Sequence, residues 1–209
     1  MLDQRLKDRI DVYLRPHYLE EVHESCVLWE TELSGRTRLN VILPRDSCVL
    51  CIRDYDHKAK CGFLSEDTTA GLQKSMDHIL VVQQPDGAWK VHLIEMKSSI
   101  SGNKWEEIRQ KARASILNIK ALAAVLDILV AEYVIYTTYE KLSLHENNPA
   151  DLATRKLKLG GGWKEDEWDK NQILIRVPKG IKERHAHKGI QMQREPIEGI
   201  DTLCGEVTL

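Results

Sequence analysis

The chain has 209 residues and balances 30 Lys and Arg against 32 Asp and Glu, with 42% hydrophobic and 30% charged residues. That mixture belongs to a folded globular protein with room for one sizeable core, and its near-neutral total excludes a protein that clings to nucleic acid over its whole surface while leaving room for a local basic groove. No apolar run approaches the roughly 20 residues that span a bilayer, the start MLDQRLKDRID has no apolar leader, and five cysteines are an odd count, so a cytoplasmic protein without membrane contact is expected.

Leu2, Leu6, Ile10 and Leu14 recur at helical spacing, and Pro16 ends that helix. Residues 19–33 also read as helical, with Leu19, Val22, Cys26 and Trp29 on one side and Gly35 as the stop. Residues 37–43 (TRLNVIL) and 48–53 (CVLCIR) read as strands around the Pro44-Arg45-Asp46 turn. From Asp54 to Lys74 the pattern is poor, with room for one short helix. Residues 78–84 (HILVVQQ) and 88–97 (AWKVHLIEMK) form a hairpin about Pro85-Asp86-Gly87. In its second strand Trp89, Val91, Leu93, Glu95 and Lys97 share one face. Asn103, with Glu106 as a capping-box partner, starts a helix over about 104–126. Its buried stripe is Trp105, Ile108, Ala112, Ile116, Ile119, Ala123 and Leu126, and its length is roughly 35 Å. Residues 131–138 (AEYVIYTT) form an interior strand, 145–170 a polar insertion, and 172–177 (QILIRV) a further strand. The tail from Pro178 is polar and weakly patterned. Strand, strand, long helix, strand predicts a single α/β domain on a mixed sheet.

The chemistry concentrates at the hairpin. Asp77 stands at the entry to its first strand and Glu95 with Lys97 at the end of its second. Antiparallel pairing brings those ends together. Two adjacent carboxylates are costly unless a cation neutralises them, and Mg2+ accepts one or two carboxylates plus water and substrate oxygens. Such an ion activates water and stabilises charge on a phosphodiester, with Lys97 placed to assist. Residues 97–120 are the one strongly basic stretch, with Lys97, Lys104, Arg109, Lys111, Arg113 and Lys120 against Glu106 and Glu107. Lys104, Arg109, Lys111 and Arg113 are candidates for backbone-phosphate contacts that read no sequence, beside amide donors at the helix N-terminus and the hydroxyls of Ser98 and Ser99.

Asp77 followed by Glu95-Met96-Lys97, with a turn between the elements and an amphipathic helix after them, resembles the D…ExK pattern of the PD-(D/E)XK nuclease superfamily. The match covers about 72–138, with residues 19–53 as candidates for the first helix and strand. The resemblance implies a restriction-endonuclease-like αβββαβ core, a central mixed sheet flanked by helices, and a Mg2+-dependent nuclease acting on nucleic acid, DNA ahead of RNA, with Mn2+ as a substitute ion. Asp77, Glu95 and the Met96 backbone carbonyl would hold the metal, and Lys97 would serve at the water. The chain departs from the pattern in carrying Met76-Asp77 rather than Pro-Asp. An upstream metal-binding Glu would come from Glu21, Glu24, Glu32 or Glu66, with Glu24 and Glu66 put forward, and Gln110 is a candidate for a supporting Gln on the following helix. A homodimer or larger complex remains open, as does a non-catalytic nucleic-acid-binding or assembly subunit on the same fold.

Blander readings accompany these. Asp77 can serve as a turn cap, Glu95 and Lys97 as a solvated strand end, and the helix cations as an ordinary wet face. Cys48-x2-Cys51, with Cys61 and His57 nearby, sits in an alternating strand pattern that sends the two thiols to opposite faces, against a zinc site. His78 and His92 are strand residues that can approach the carboxylates. Gly160-Gly161-Gly162 lacks the Lys-Ser/Thr of a phosphate loop.

Overall fold

The computed structural model describes residues 2–32, 35–58, 71–144, 167–176 and 182–209. Most of the polar insertion, with its glycine triplet, and Cys61 and Glu66 lie outside the described residues. The chain runs α1 (Gln4–Tyr13), β1 (Glu20–Val22), β2 (Ser25–Glu32), β3 (Gly35–Ile42), β4 (Val49–Ile52), β5 (His78–Gln83), β6 (Trp89–Glu95), β7 (Ser99–Ile100), α2 (Gly102–Leu126), β8 (Val130–Tyr139), β9 (Lys141–Leu142), β10 (Gln172–Arg176), β11 (Lys182–Gln191), β12 (Gln193–Ile197) and β13 (Ile200–Thr208). A short 3-10 turn covers Tyr55–His57. The class is α/β, with mixed sheets and few helices.

The main sheet has seven strands in the order β1-β4-β5-β6-β8-β11-β10. β4, β5 and β6 form an antiparallel meander. α2 then carries the chain across one face so that β8 returns parallel to β6, and β11 adds parallel to β8. Both faces of β6 are covered, which is why its residues read as a nearly unbroken apolar run. Trp89, Val91 and Leu93 face α2, where they join its predicted stripe from Trp105 to Leu126. Leu80, Val82, Ile94 and Met96 face the other way.

That second face is covered by a further sheet of four strands, β12-β13-β3-β2, rather than by helices. The expected helix over 19–33 is replaced by β1 and β2. Cys26 and Leu28 point inward at 4% and 0% exposure while Trp29 stays 40% exposed, so the period here is two and not 3.6. The helical reading grouped Cys26 with Trp29, which the pleat places on opposite faces. β2 pairs antiparallel with β3 from Ser25 opposite Ile42 to Glu32 opposite Gly35. β3 and β4, read as neighbours about Pro44, in fact belong to different sheets. The chain also changes sheets at Met192, between β11 and β12, so the weakly patterned tail completes both layers. Its alternation is blurred because outward positions outnumber inward ones along β11 and β12.

A smaller correction concerns α2. Its N-cap is Ser101, whose hydroxyl accepts from the Lys104 N–H at 3.5 Å, in place of Asn103. At the other end Asp127 takes left-handed backbone and closes the last turn. Arg9 of α1 donates to the Leu126 carbonyl at 2.9 Å and to Asp127 at 2.8 Å, fastening the two helices together. Cys48 packs among the residues facing α2 and Cys51 among those facing the second sheet, the division expected from the strand pattern.

Leu28 is fully buried between the sheets, so Leu28→Ala should cost about 2–5 kcal/mol in urea unfolding, the range for a leucine cavity. A helix over 19–33 would instead leave this side chain outside the sheet–sheet core, and a loss below about 1 kcal/mol would count against the strand.

Candidate active site

The hairpin register creates the site. The Asp77 N–H donates to the Ile94 carbonyl at 3.1 Å, which extends the β5–β6 ladder by one residue. The Asp77 Oδ2 then accepts the Met96 N–H at 2.7 Å. One carboxylate oxygen thus substitutes for a strand carbonyl at the point where β6 ends. Glu95 is the last residue of β6 and turns toward α2 by the alternation it shares with Trp89, Val91 and Leu93. Asp77 and Glu95 are 3% and 0% exposed.

The two flanking elements hold this geometry. Ser115 of α2 accepts the Met76 N–H at 3.0 Å. Thr138 of β8 accepts the Lys97 N–H at 2.8 Å and donates to the Lys97 carbonyl at 3.1 Å. One turn before Ser115, Lys111 projects from α2 between the carboxylates. Its Nζ lies 2.6 Å from Glu95 Oε1 and 3.4 Å from Asp77 Oδ1. Lys97 Nζ approaches the same Glu95 oxygen at 3.2 Å. Glu95 Oε2 is buried and has no hydrogen-bond partner among the described residues.

Burial, with the charge of Asp77 beside it, pushes the Glu95 carboxyl up to about 8 despite Lys111 and Lys97. Burial by itself would lower the Lys111 ammonium, but Glu95 and Asp77 outweigh it and hold the group above its ordinary value. The oxygens gathered about the Lys111 ammonium are hard donors, Asp77 Oδ1 and Glu95 Oε1, and Glu95 Oε2 is unpartnered among the described residues. Two carboxylates with water suit Mg2+, so the residues fit that ion. Among the described residues no group of three or more His, Cys, Asp or Glu gathers as a metal cluster.

Of the four residues expected to contact phosphate, Lys111 and Arg109 are engaged inside the protein. Lys111 points into the carboxylate pair. Arg109 is 8% exposed. It donates to the Leu174 carbonyl and to Glu106, so it ties α2 to β10. Lys104 donates to Ser99 Oγ at 2.7 Å, and Arg113 is half-buried. Lys111 and Arg109 are therefore built into the protein rather than presented on a wet basic face, while Lys104 and Arg113 stay half-buried. Gln110 accepts from Lys74 Nζ at 2.8 Å. Ser98 lines a cleft of about 230 Å3 on the other side of the β6 terminus, with Met96 at its wall. Glu24 lies in an exposed turn between β1 and β2, not on a helix, with left-handed backbone at φ 60°. Glu21 accepts the Leu2 N–H.

His78 accepts the Asp54 N–H at Nδ1, which leaves Nε2 to donate to the Trp29 carbonyl. His92 bonds the Tyr136 hydroxyl, and burial lowers it to about 3. Both rings are neutral structural members. Sequence reasoning did not find the part played by Lys111, Ser115 and Thr138. A signal was present in α2, where Lys111, Ser115 and Asn118 form a polar row directly beside the apolar stripe.

No protein-family model, curated protein or solved structure matches the chain.

In metal-free buffer the folded protein keeps a proton on Glu95 to about pH 8, whereas the ordinary value is 4.5. The folded state binds the extra proton across that window, so its stability falls as pH rises through it. Glu95→Gln should flatten this part of a pH series of urea-unfolding curves. An unchanged slope in the variant would assign the titration to another group.

Proposed function

We propose that the chain is a Mg2+-dependent nuclease of the PD-(D/E)XK type, hydrolysing phosphodiester bonds of nucleic acid, DNA in the first instance. The observation that carries this reading is the buried pairing of Asp77 and Glu95 at the joined ends of β5 and β6, with Lys97 3.2 Å from the second carboxylate. The run β4, β5, β6, then α2 and β8 parallel to β6, supports it because the resemblance implies an αβββαβ core, although β1, β2 and β3 stand between α1 and β4 and the short β7 precedes α2. The second sheet stands where that core would have a further helical layer.

Bound at the pair, Mg2+ (or Mn2+) would supply charge neutralisation at the phosphodiester and an activated water. The chain's own contributions are separable from this. Asp77 holds the Met96 amide, and so sets the position of the Met96 carbonyl and of the Lys97 stem. Glu95 is fixed in a water-poor setting where its interaction with any cation is strong. Lys97, with a side chain 17% exposed, keeps an ammonium at the mouth of the site, where it can donate to a phosphoryl oxygen as charge grows there. Lys104, beside Ser99, and Arg113 remain the α2 residues proposed to meet the nucleic-acid backbone.

A specific observation favours a second reading. Lys111 already bridges both carboxyl groups, and neither residue is more than 3% exposed. A pair already bridged by the chain's own ammonium suits a non-catalytic nucleic-acid-binding or assembly subunit. No helix among the described residues is long and apolar enough to cross a membrane, and neither reading needs one.

Asp77→Asn and Glu95→Gln are the appropriate substitutions, because an asparagine side chain in place of Asp77 would keep an acceptor for the Met96 amide that alanine would remove. Each should reduce Mg2+-dependent cleavage of duplex DNA by roughly a hundredfold or more, with retained folding by circular dichroism. Wild-type rates in either variant would remove that residue from the mechanism. Salt-sensitive DNA binding by the wild type without any cleavage in Mg2+ or Mn2+ would establish the second reading instead.

A further inference from the structure

We propose that Lys111 is a tethered counter-ion, occupying the bridging position between Asp77 and Glu95 and yielding it when a divalent cation binds, so that this lysine sets the affinity of the site. The inference rests on the metal-site reading above and goes beyond it. Lys111 Nζ lies 2.6 Å from Glu95 Oε1 and 3.4 Å from Asp77 Oδ1, so a single ammonium spans the gap that a single metal ion would span. The two carboxyl groups are almost without solvent, and the Lys111 ammonium is the cation that lies between them when no metal is present.

The same lysine is built to leave. It comes from α2, across the sheet–helix interface, on a flexible four-carbon stem. Its side chain is 15% exposed, unlike the carboxylates it joins. A dication beside an ammonium in a poorly solvated site is strongly repelled, so a metal can bridge both carboxylates only after the Lys111 head withdraws. Glu95 Oε2, buried without a partner among the described residues, offers a first foothold that Lys111 does not block. Lys97 differs in origin, rising from the strand end itself toward the same Oε1.

Calorimetric titration of Mg2+ and Mn2+ into the full chain tests this without any activity measurement, using wild type, Lys111→Gln and Lys111→Arg, alongside thermal unfolding in EDTA and in metal. Lys111→Gln should bind either ion at least about tenfold more tightly than wild type. Its melting temperature should fall in EDTA and be restored by metal, whereas the wild type should respond less. Lys111→Arg keeps the charge in a fork that grips both carboxylates, and should weaken metal binding about fivefold or more. If wild type binds metal and the Gln variant binds equally or less tightly, the counter-ion proposal falls while the metal site stands. If neither wild type nor the Gln variant takes up either ion, the metal reading itself falls. Should the Gln variant fail to fold in EDTA, the Arg variant decides, and unchanged or tighter metal binding by it would overturn the proposal.

Discussion

A buried pair of carboxylates is the constraint around which this end of the molecule is arranged. Asp77 and Glu95 have almost no access to water, and burial together with the charge of Asp77 raises the Glu95 carboxyl while the Lys111 and Lys97 ammoniums pull it down. Withdrawing one partner from such a network leaves a charge desolvated and uncompensated, at a cost of about 3–5 kcal/mol in comparable cases. Each neighbouring element is fixed to the pair by main-chain contacts. Asp77 closes the hairpin by accepting from Met96, Ser115 of α2 holds Met76, and Thr138 of β8 holds Lys97 from both sides. Strand ends from three adjacent strands and one helix therefore meet in one place.

The layers around the pair explain why its environment is so dry. β6 is covered on one face by α2 and on the other by the sheet β12-β13-β3-β2. The latter exists only because the tail crosses from β11 into β12 and pairs β13 parallel to β3. β11 also brings His187 into the helix-side layer, where its ring meets Trp105 and Trp168 and bonds the Thr137 hydroxyl. Burial lowers that ring to about 3, so it stays neutral and contributes packing rather than charge. Arg109 works similarly, joining α2 to β10 through the Leu174 carbonyl. What reads as a basic helix face is in large part internal fastening.

Legibility along the chain follows the strength of the local period. The β5–β6 hairpin was readable because Pro85-Asp86-Gly87 separates two apolar runs, and α2 because seven apolar residues recur at helical spacing over 25 residues. Residues 19–33 misled because Leu19, Val22, Cys26 and Trp29 satisfy a helical period by coincidence, while the β3 partner strand rewards the alternation of Cys26 and Leu28. The tail was unreadable because its outward positions are polar and its inward ones few. Within the site, the meeting of Asp77 with Glu95 followed from antiparallel pairing of neighbouring segments. The destination of Lys111 did not, since a lysine flanking an apolar stripe has the same appearance whether it meets water or a buried carboxylate.

The amino-acid sequence by itself determined the local elements with strong periods, the α/β class and the joining of the two hairpin ends, because these depend on residues close together in the chain. Only the tertiary structure decided that a second sheet covers the far face, that Arg109 turns inward and that Lys111 fills the gap between the carboxylates. Those outcomes depend on how far each side chain is removed from water. Desolvation is a property of the assembled layers, to which segments more than a hundred residues apart contribute, as β3 and β13 do by pairing, and no local pattern encodes it.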